Sequence, residues 1–309
     1  MSSIAVLFPG QGAQYLGMAK DFIQQDAHAK QVFEIAEQQL GINLSHLMFE
    51  ENDLLSQTEY TQKAIFVAST AIFRTVKSRL RREISAMIGF SLGEYTALHA
   101  SGVFTLETAL DLIEKRSRWM EEATHFHPGA MAALIGGNLD QIQQFCEETT
   151  KTIGLLTIAN YNSPLQKVLS GTPEAIQHLM THFSSLGAKR CVQLNVSGAF
   201  HSPLMHTAAT KMKEYIESVP QGVASTRVIA NATGTDYDWN NLAHTMEQQI
   251  ESSVLFEKSI RLLHDQGFDT FIEVGPGQVL TGLVKKTLPD ARTISIDQWQ
   301  DLVKLEELS

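Results

Sequence analysis

Ile4 to Phe8 form an unbroken apolar run that stops at Pro9-Gly10, which is the pattern of a short strand buried on both faces. Strands of that kind belong to parallel sheets. Between Gln62 and Leu80 the period changes: Ile65, Ala68, Ser69, Ile72, Phe73 and Val76 recur at three- and four-residue spacing and predict a long amphipathic helix. A second buried strand is predicted over Ile84 to Ile88. Helices then follow from Leu92 to about Ala100 and from Leu106 to about Ala123, the latter capped by Thr105.

From Ala130 the rhythm differs. The pattern predicts a strand (Ala130 to Ile135), a helix (Leu139 to Thr150), two strands (Leu155 to Ala159, Gln166 to Ser170), a helix (Pro173 to Leu186) and a last strand (Lys189 to Leu194). This βαββαβ order is the ferredoxin-like arrangement. Helices starting near Ser202, Leu242 and Val254, with strands at Thr270 to Val274 and Arg292 to Ile296, return to the first layout. The expected fold is therefore α/β: a large subdomain with a parallel sheet, residues 1–126 and 197–309, carrying an inserted ferredoxin-like small subdomain, residues 127–196.

Composition narrows the function. With 309 residues, 43% hydrophobic and 19% charged, the chain is long enough to bury a core and is neither collagenous nor disordered. Its net charge of -10 disfavours general attraction to nucleic acid or an anionic membrane. No run approaches the ~18 apolar residues of a membrane span, and the apolar start ends after five residues, short for a signal peptide. The two cysteines, Cys146 and Cys191, form neither a disulfide framework nor a CxxC pair, so a reducing cytoplasm is expected.

Gly89-Phe90-Ser91-Leu92-Gly93 matches GxSxG and sits where that motif works, between an apolar strand and a helix. A sharp strand-to-helix turn lifts the serine hydroxyl clear of the sheet, and the N–H of Leu92 can face a developing oxyanion. Without chemistry, the same pentapeptide is a glycine-flanked helix start. A serine nucleophile needs a base, and His201 ends a Gly-containing loop with Ser202 and Pro203 behind it as helix cap and first-turn proline. His125 and His127 lack a third ligand, so no metal site is expected. Pro9-Gly10-Gln11-Gly12-Ala13-Gln14 invites a phosphate-binding reading and fails it, since Tyr15 replaces the third Gly of GxGxxG and Met18 the Walker Lys. What survives is a tight turn whose N–H groups and Gln11 amide are candidate donors. In Lys115-Arg116-Ser117-Arg118, one guanidinium facing a pocket would clamp a carboxylate; otherwise the group is a solvated helix face.

Taken together, Phe8-Pro9-Gly10-Gln11-Gly12, Gly89-Phe90-Ser91-Leu92-Gly93-Glu94-Tyr95, Lys115-Arg116, Gly198-Ala199-Phe200-His201-Ser202 and Glu273-Val274-Gly275-Pro276-Gly277 closely resemble the malonyl-CoA:acyl carrier protein transacylases, in order and nearly end to end. The resemblance implies an α/β-hydrolase-like large subdomain. It makes Ser91 the nucleophile and His201 its base, with Gln11 and the Leu92 N–H bordering the oxyanion hole. It also gives Arg116 the malonyl carboxylate, the Gln249 backbone carbonyl the orientation of His201, and Asn160 and Asn162 positions near the cleft between subdomains. Phe200 matches the position associated with selecting malonyl over methylmalonyl. The chain departs from the family pattern at Phe90, Ser117 and Ser253, where His, Gly and Pro are usual. The implied reaction is ping-pong transfer from malonyl-CoA to the phosphopantetheine thiol of an acyl carrier protein, in fatty-acid or polyketide synthesis, without metal or cofactor. A serine esterase or thioesterase of similar fold, or a non-catalytic carrier-protein docking subunit, are the alternatives.

Overall fold

The computed structural model describes residues 3–308. Its larger sheet takes strands from both ends of the chain: β1 (Ser3–Phe8), β2 (Ile84–Gly89), β7 (Arg227–Ala230), β8 (Thr235–Asp236), β9 (Phe268–Val274) and β10 (Arg292–Ile296). They lie in the order β10-β9-β1-β2-β7-β8, parallel except for the β7–β8 pair. β1 is therefore central, which is why Ile4 to Phe8 carry no polar residue: all five are fully buried. Register brings Phe8 opposite Gly89 and Leu7 opposite Glu273, so the loops leaving β1, β2, β7 and β9 open on one edge of the sheet. In open α/β sheets that carboxyl edge is where ligands bind.

The second sheet comes from one stretch of chain: β3 (Ala130–Gly136), β4 (Leu156–Ser163), β5 (Gln166–Gly171) and β6 (Ala188–Gln193), antiparallel in the order β4-β5-β3-β6. Helices Leu139–Thr152 and Pro173–His182 contribute Ile142 and Ile176 to a core on one face. Strand alternation explains the apolar run of β3. Ala130, Ala132 and Leu134 face those helices, whereas Met131 and Ala133 join the core of the larger subdomain. The two sheets meet where the N–H of Tyr161 bonds the carbonyl of Val254 at 2.9 Å and the N–H of Val254 bonds that of Ala159 at 2.8 Å.

Several elements differ in detail from the pattern. The first long helix runs Thr58–Arg79 and buries 16 of its 22 residues, so it is an internal helix rather than a half-exposed one. The helix expected to reach Leu186 is α-helical to His182 and tightens into a 3₁₀ turn over Phe183–Leu186. Thr105 does cap its helix, accepting from the N–H of Thr108 at 3.1 Å. Helices Lys20–Gln25, Ala27–Leu40, Leu44–Phe49 and Val279–Thr287, and strands β7 and β8, are additions to the expected layout. Among the described residues no helix is long and apolar enough to cross a membrane.

Candidate active site

The turn after β2 is a close fit of backbone on backbone. A Cβ on Gly89 would lie 2.0 Å from the Glu94 nitrogen, one on Gly93 2.1 Å from the Phe8 carbonyl oxygen, and one on Gly10 2.3 Å from the Phe90 carbonyl oxygen. Each contact is too short for any side chain, which accounts for both glycines of GxSxG and for the one in the Pro9-Gly10 loop. Ser91 itself has φ 52°, a left-handed backbone that costs an L-residue roughly 1–2 kcal/mol. Two side chains hold it there. The Ser91 N–H donates to Asn231 Oδ1 at 2.7 Å, and Gln249 Nε2 donates to the Ser91 carbonyl at 2.7 Å. Asn231 also donates from Nδ2 to the Gly89 carbonyl at 2.6 Å, so it clamps the turn on both sides. Beneath it Glu94, wholly buried, accepts from the Asn231 N–H at 3.2 Å and from the Tyr237 hydroxyl. Burial pushes the Glu94 carboxyl up to about 8.

His201 has φ 56° and is 4% exposed. The Ser202 hydroxyl fixes the loop by donating to the Ala199 carbonyl at 2.6 Å, and accepts from the Leu204 N–H at 3.3 Å as the start of the next helical turn. The imidazole spans two partners: Nδ1 lies 2.9 Å from the Gln249 carbonyl oxygen and Nε2 2.7 Å from Ser91 Oγ. A carbonyl can only accept, so Nδ1 carries the hydrogen and Nε2 presents its lone pair to the serine hydroxyl, the arrangement a general base requires. Burial, and next the charge of Arg116, drive the imidazole down to about 3, while the Gln249 and Ser252 carbonyls pull the other way. The ring is neutral at physiological pH.

Arg116 stands beside this pair with 1% exposure. Its Nη2 donates to Ser91 Oγ at 3.1 Å, its Nη1 to Gln62 Oε1 at 2.6 Å, and its guanidinium lies 5.2 Å from the Tyr95 ring centroid. Burial lowers it from its ordinary value, and Tyr95 and Glu94 partly restore it. Among the described residues no carboxylate forms an ion pair with it. An unpaired buried charge is expensive.

Ser91, Arg116 and His201 face a cavity of about 500 Å³ between the two sheets. Gln11, Phe200, Asn160 and Asn162 line it as well. Gln11 is held by a bond from Nε2 to Thr58 Oγ1 at 3.1 Å, and Asn162 keeps a buried Oδ1 with no partner. Leu92 is helical in backbone at the head of helix Gly93–Ala100, where first-turn N–H groups have no partner within the helix. The unusual residues each have a local partner. Phe90 packs edge-on to Phe256 with centroids 5.5 Å apart, Ser117 donates to the Glu114 carbonyl at 2.9 Å, and Ser253 donates to the Ile158 carbonyl at 2.5 Å. Glu273 explains part of the Glu273-to-Gly277 motif: it accepts from the N–H groups of Leu280 and Thr281, at 3.0 and 2.7 Å, and so fixes the helix whose Val279 and Leu283 form one cavity wall. Asn231 and Gln62 carry no motif signal in the sequence, and Tyr95 stands in the Gly89-to-Tyr95 motif without a role of its own. Asn231 follows the short strand β7, and recognising that strand is the one signal that would have found it.

A hydroxyl on a glycine-flanked elbow, a neutral imidazole in hydrogen-bond contact with it and a buried guanidinium beside both lie together on an α/β fold, and the class to which this chain belongs is that of the acyltransferases. The chain belongs to the acyl transferase domain family, which matches residues 6–300. It is 38% identical to the malonyl CoA-acyl carrier protein transacylase of Bacillus subtilis (strain 168) over 299 residues, covering 96% of this chain and 94% of that one. The Staphylococcus aureus (strain MW2) enzyme of the same name is 36% identical over 98% of each chain. Among solved structures, MCAT from Streptococcus pneumoniae superimposes with TM-score 0.93 at 36% identity, covering 99% of this chain and 100% of that one. A malonyl-transacylase in complex with its type II PKS acyl-carrier protein superimposes with TM-score 0.95 at 32% identity, over 100% of both chains.

Proposed function

We propose that this chain transfers the malonyl group from malonyl-CoA to the phosphopantetheine thiol of an acyl carrier protein, through a malonyl ester on Ser91. The observation that carries this reading is Arg116: a guanidinium with 1% exposure and no ion-pair partner among the described residues, 3.1 Å from the nucleophile. An esterase acting on neutral acyl groups has no use for it. Malonyl is an acyl group with a second carboxylate, and that carboxylate pairs with Arg116 while the thioester carbonyl meets Ser91 Oγ.

In the first half-reaction Ser91 Oγ attacks the thioester carbonyl and its proton moves to His201 Nε2. The developing oxyanion is met by the Leu92 N–H and by donors of the Gln11 turn. The C–S bond breaks, and CoA leaves as the thiol with the proton from His201. In the second half His201 takes the proton of the carrier thiol, the sulfur attacks the ester, and the C–O bond breaks as the proton returns to Ser91. Gln249 holds His201 in the required tautomer from its carbonyl and Ser91 in the required backbone from its amide. Asn160 and Asn162 offer polar groups to the part of the substrate outside the acyl pocket, and Phe200 narrows the space at the malonyl α-carbon. Residues 127–196 act as one wall of this cleft and residues 1–126 and 197–309 as the other. Two unpaired cysteines and a CoA-linked substrate fit a cytoplasmic enzyme of fatty-acid or polyketide synthesis.

The test is intact-mass measurement of the protein mixed with malonyl-CoA, followed by addition of a carrier protein. Transacylation gives a malonylated Ser91 that survives in water and is discharged by the carrier thiol. Prompt release of malonate would identify an esterase, and an unmodified protein a docking subunit.

A further inference from the structure

A second cavity, of about 560 Å³, lies at the other end of the helix that begins at the elbow, and shares no lining residue with the Ser91 cavity. Its wall includes the apolar side chains of Phe73, Phe104 and Leu106. Arg74 and Lys77, one helical turn apart on helix Thr58–Arg79, stand over it. Among the described residues neither forms an ion pair, and Lys77 rests 6.0 Å from the Phe73 ring centroid. Glu107 is the one carboxylate lining the cavity, so cations exceed anions there; His28 completes its titratable groups apart from His99.

His99 sets the chemistry. It is 8% exposed, and its Nδ1 lies 3.0 Å from the Phe104 carbonyl oxygen, so Nδ1 carries the hydrogen and Nε2 of the neutral ring is an acceptor. Burial, aided by the charges of Arg74 and Lys77, holds the imidazole below its ordinary value and therefore neutral. Nε2 has no hydrogen-bond partner among the described residues, yet it is not among the buried polar atoms sealed from solvent. Nε2 is thus reached by solvent, and the cavity is the space that His99 lines. A bare anion would satisfy the cations and face a lone pair at His99; a ligand with a donor as well answers both.

We infer that this cavity is a second binding site, taking a small organic anion that also carries a hydroxyl or amide N–H. The anionic group pairs with Arg74 and Lys77, the donor reaches His99 Nε2, and the apolar body lies against Phe73, Phe104 and Leu106. The inference is independent of what happens at Ser91.

The experiment uses the full chain labelled with nitrogen-15 at histidine, titrated with 6-hydroxy-2-naphthoate and with 2-naphthoate, which lacks the hydroxyl. Saturable movement of the His99 Nε2 resonance is expected with the hydroxylated probe, with weaker binding of its parent. Arg74→Gln combined with Lys77→Gln changes two exposed positions and leaves the fold intact. It is expected to weaken binding about tenfold or more, the size of a charge-assisted contact, with malonyl transfer unchanged. A His99 resonance that stays fixed at millimolar probe, equal binding of the two naphthoates, or undiminished binding to the double variant would each overturn the inference.

Discussion

Replacing Arg116 by Ala separates substrate reading from catalysis, because the same guanidinium touches the nucleophile and faces the acyl cavity. Its Nη2 bond to Ser91 Oγ, 3.1 Å long, is lost for every acyl donor, so that part of the effect cancels when malonyl and acetyl transfer are compared. What remains in the ratio is the pairing with the second carboxylate. For a charge-assisted contact at a residue 1% exposed this amounts to about 1.5–3 kcal/mol, or a ten- to hundredfold greater loss for malonyl than for acetyl. A second readout follows from His201, whose protonated form is disfavoured first by burial and next by Arg116. Removing the cation raises the imidazole from its depressed value of about 3, so the acid limb of kcat/KM for acylation moves to higher pH in the variant. The assay is single-turnover acylation of Ser91 by malonyl-CoA and acetyl-CoA across pH, with thermal melting to verify the fold. Arg116→Lys keeps charge without the fork and falls between the two. An equal loss for both acyl donors with an unmoved acid limb would refute the reasoning and leave Arg116 with no part in reading the second carboxylate.

Ser91→Ala should keep the melting temperature within a few degrees and abolish the covalent malonyl species by intact mass, while His201→Ala should slow acylation by on the order of 10² or more. Gly93→Ala sets a Cβ 2.1 Å from the Phe8 carbonyl oxygen and should destabilise the fold by about 1–3 kcal/mol; an unchanged thermal melt would show that the elbow can relax. Phe200→Ser, at a 6% exposed position on the cavity wall, should relax malonyl-over-methylmalonyl selectivity within ~1–3 kcal/mol and not invert it; competition between the two CoA esters reads the ratio. Lys285→Glu with Lys286→Glu reverses two exposed cations on the helix that walls the cleft. It should raise KM for an acidic carrier protein, leave acylation by malonyl-CoA alone, and reduce the salt dependence of transfer; unchanged KM places docking elsewhere.

The parts of the fold legible in the sequence are those written in local pattern. Buried β1 and β2, helix Leu106–Phe126 with its Thr105 cap, and the βαββαβ order of residues 130–193 all carry their period or punctuation within a few turns. Strand β7 does not, because Arg227 to Ala230 is four residues long and owes its state to pairing with β2, 141 residues away (Ala86 to Arg227). Asn231 is hidden for the same reason. Ser91 and His201 announce themselves by type and flanking residues and Arg116 only through the family resemblance, whereas Asn231, Gln62 and Tyr95 act through contacts that the completed fold creates. Helix Ala27–Leu40 is amphipathic yet faint in the sequence, because only Ala29, Val32, Phe33 and Ala36 are buried and its many polar positions mask the stripe.

The placement of β1 at the centre of the larger sheet makes the order of synthesis matter. β1 is made before β2 and meets it early, but its other neighbour, β9, begins at Phe268, about 260 residues later. At ~5–20 residues per second that is roughly 13 to 50 s during which the apolar run Ile4 to Phe8 has one open edge. The small sheet has no such interval, since its strands are contiguous in the chain and it can close while the larger one waits. Ser91 waits too: its left-handed backbone is held by Asn231 and Gln249, which follow it by 140 and 158 residues. The nascent protein thus carries a serine elbow that stays unclamped until Asn231 and Gln249 have been translated, and the open edge of β1 is sheltered only once β9 has been made.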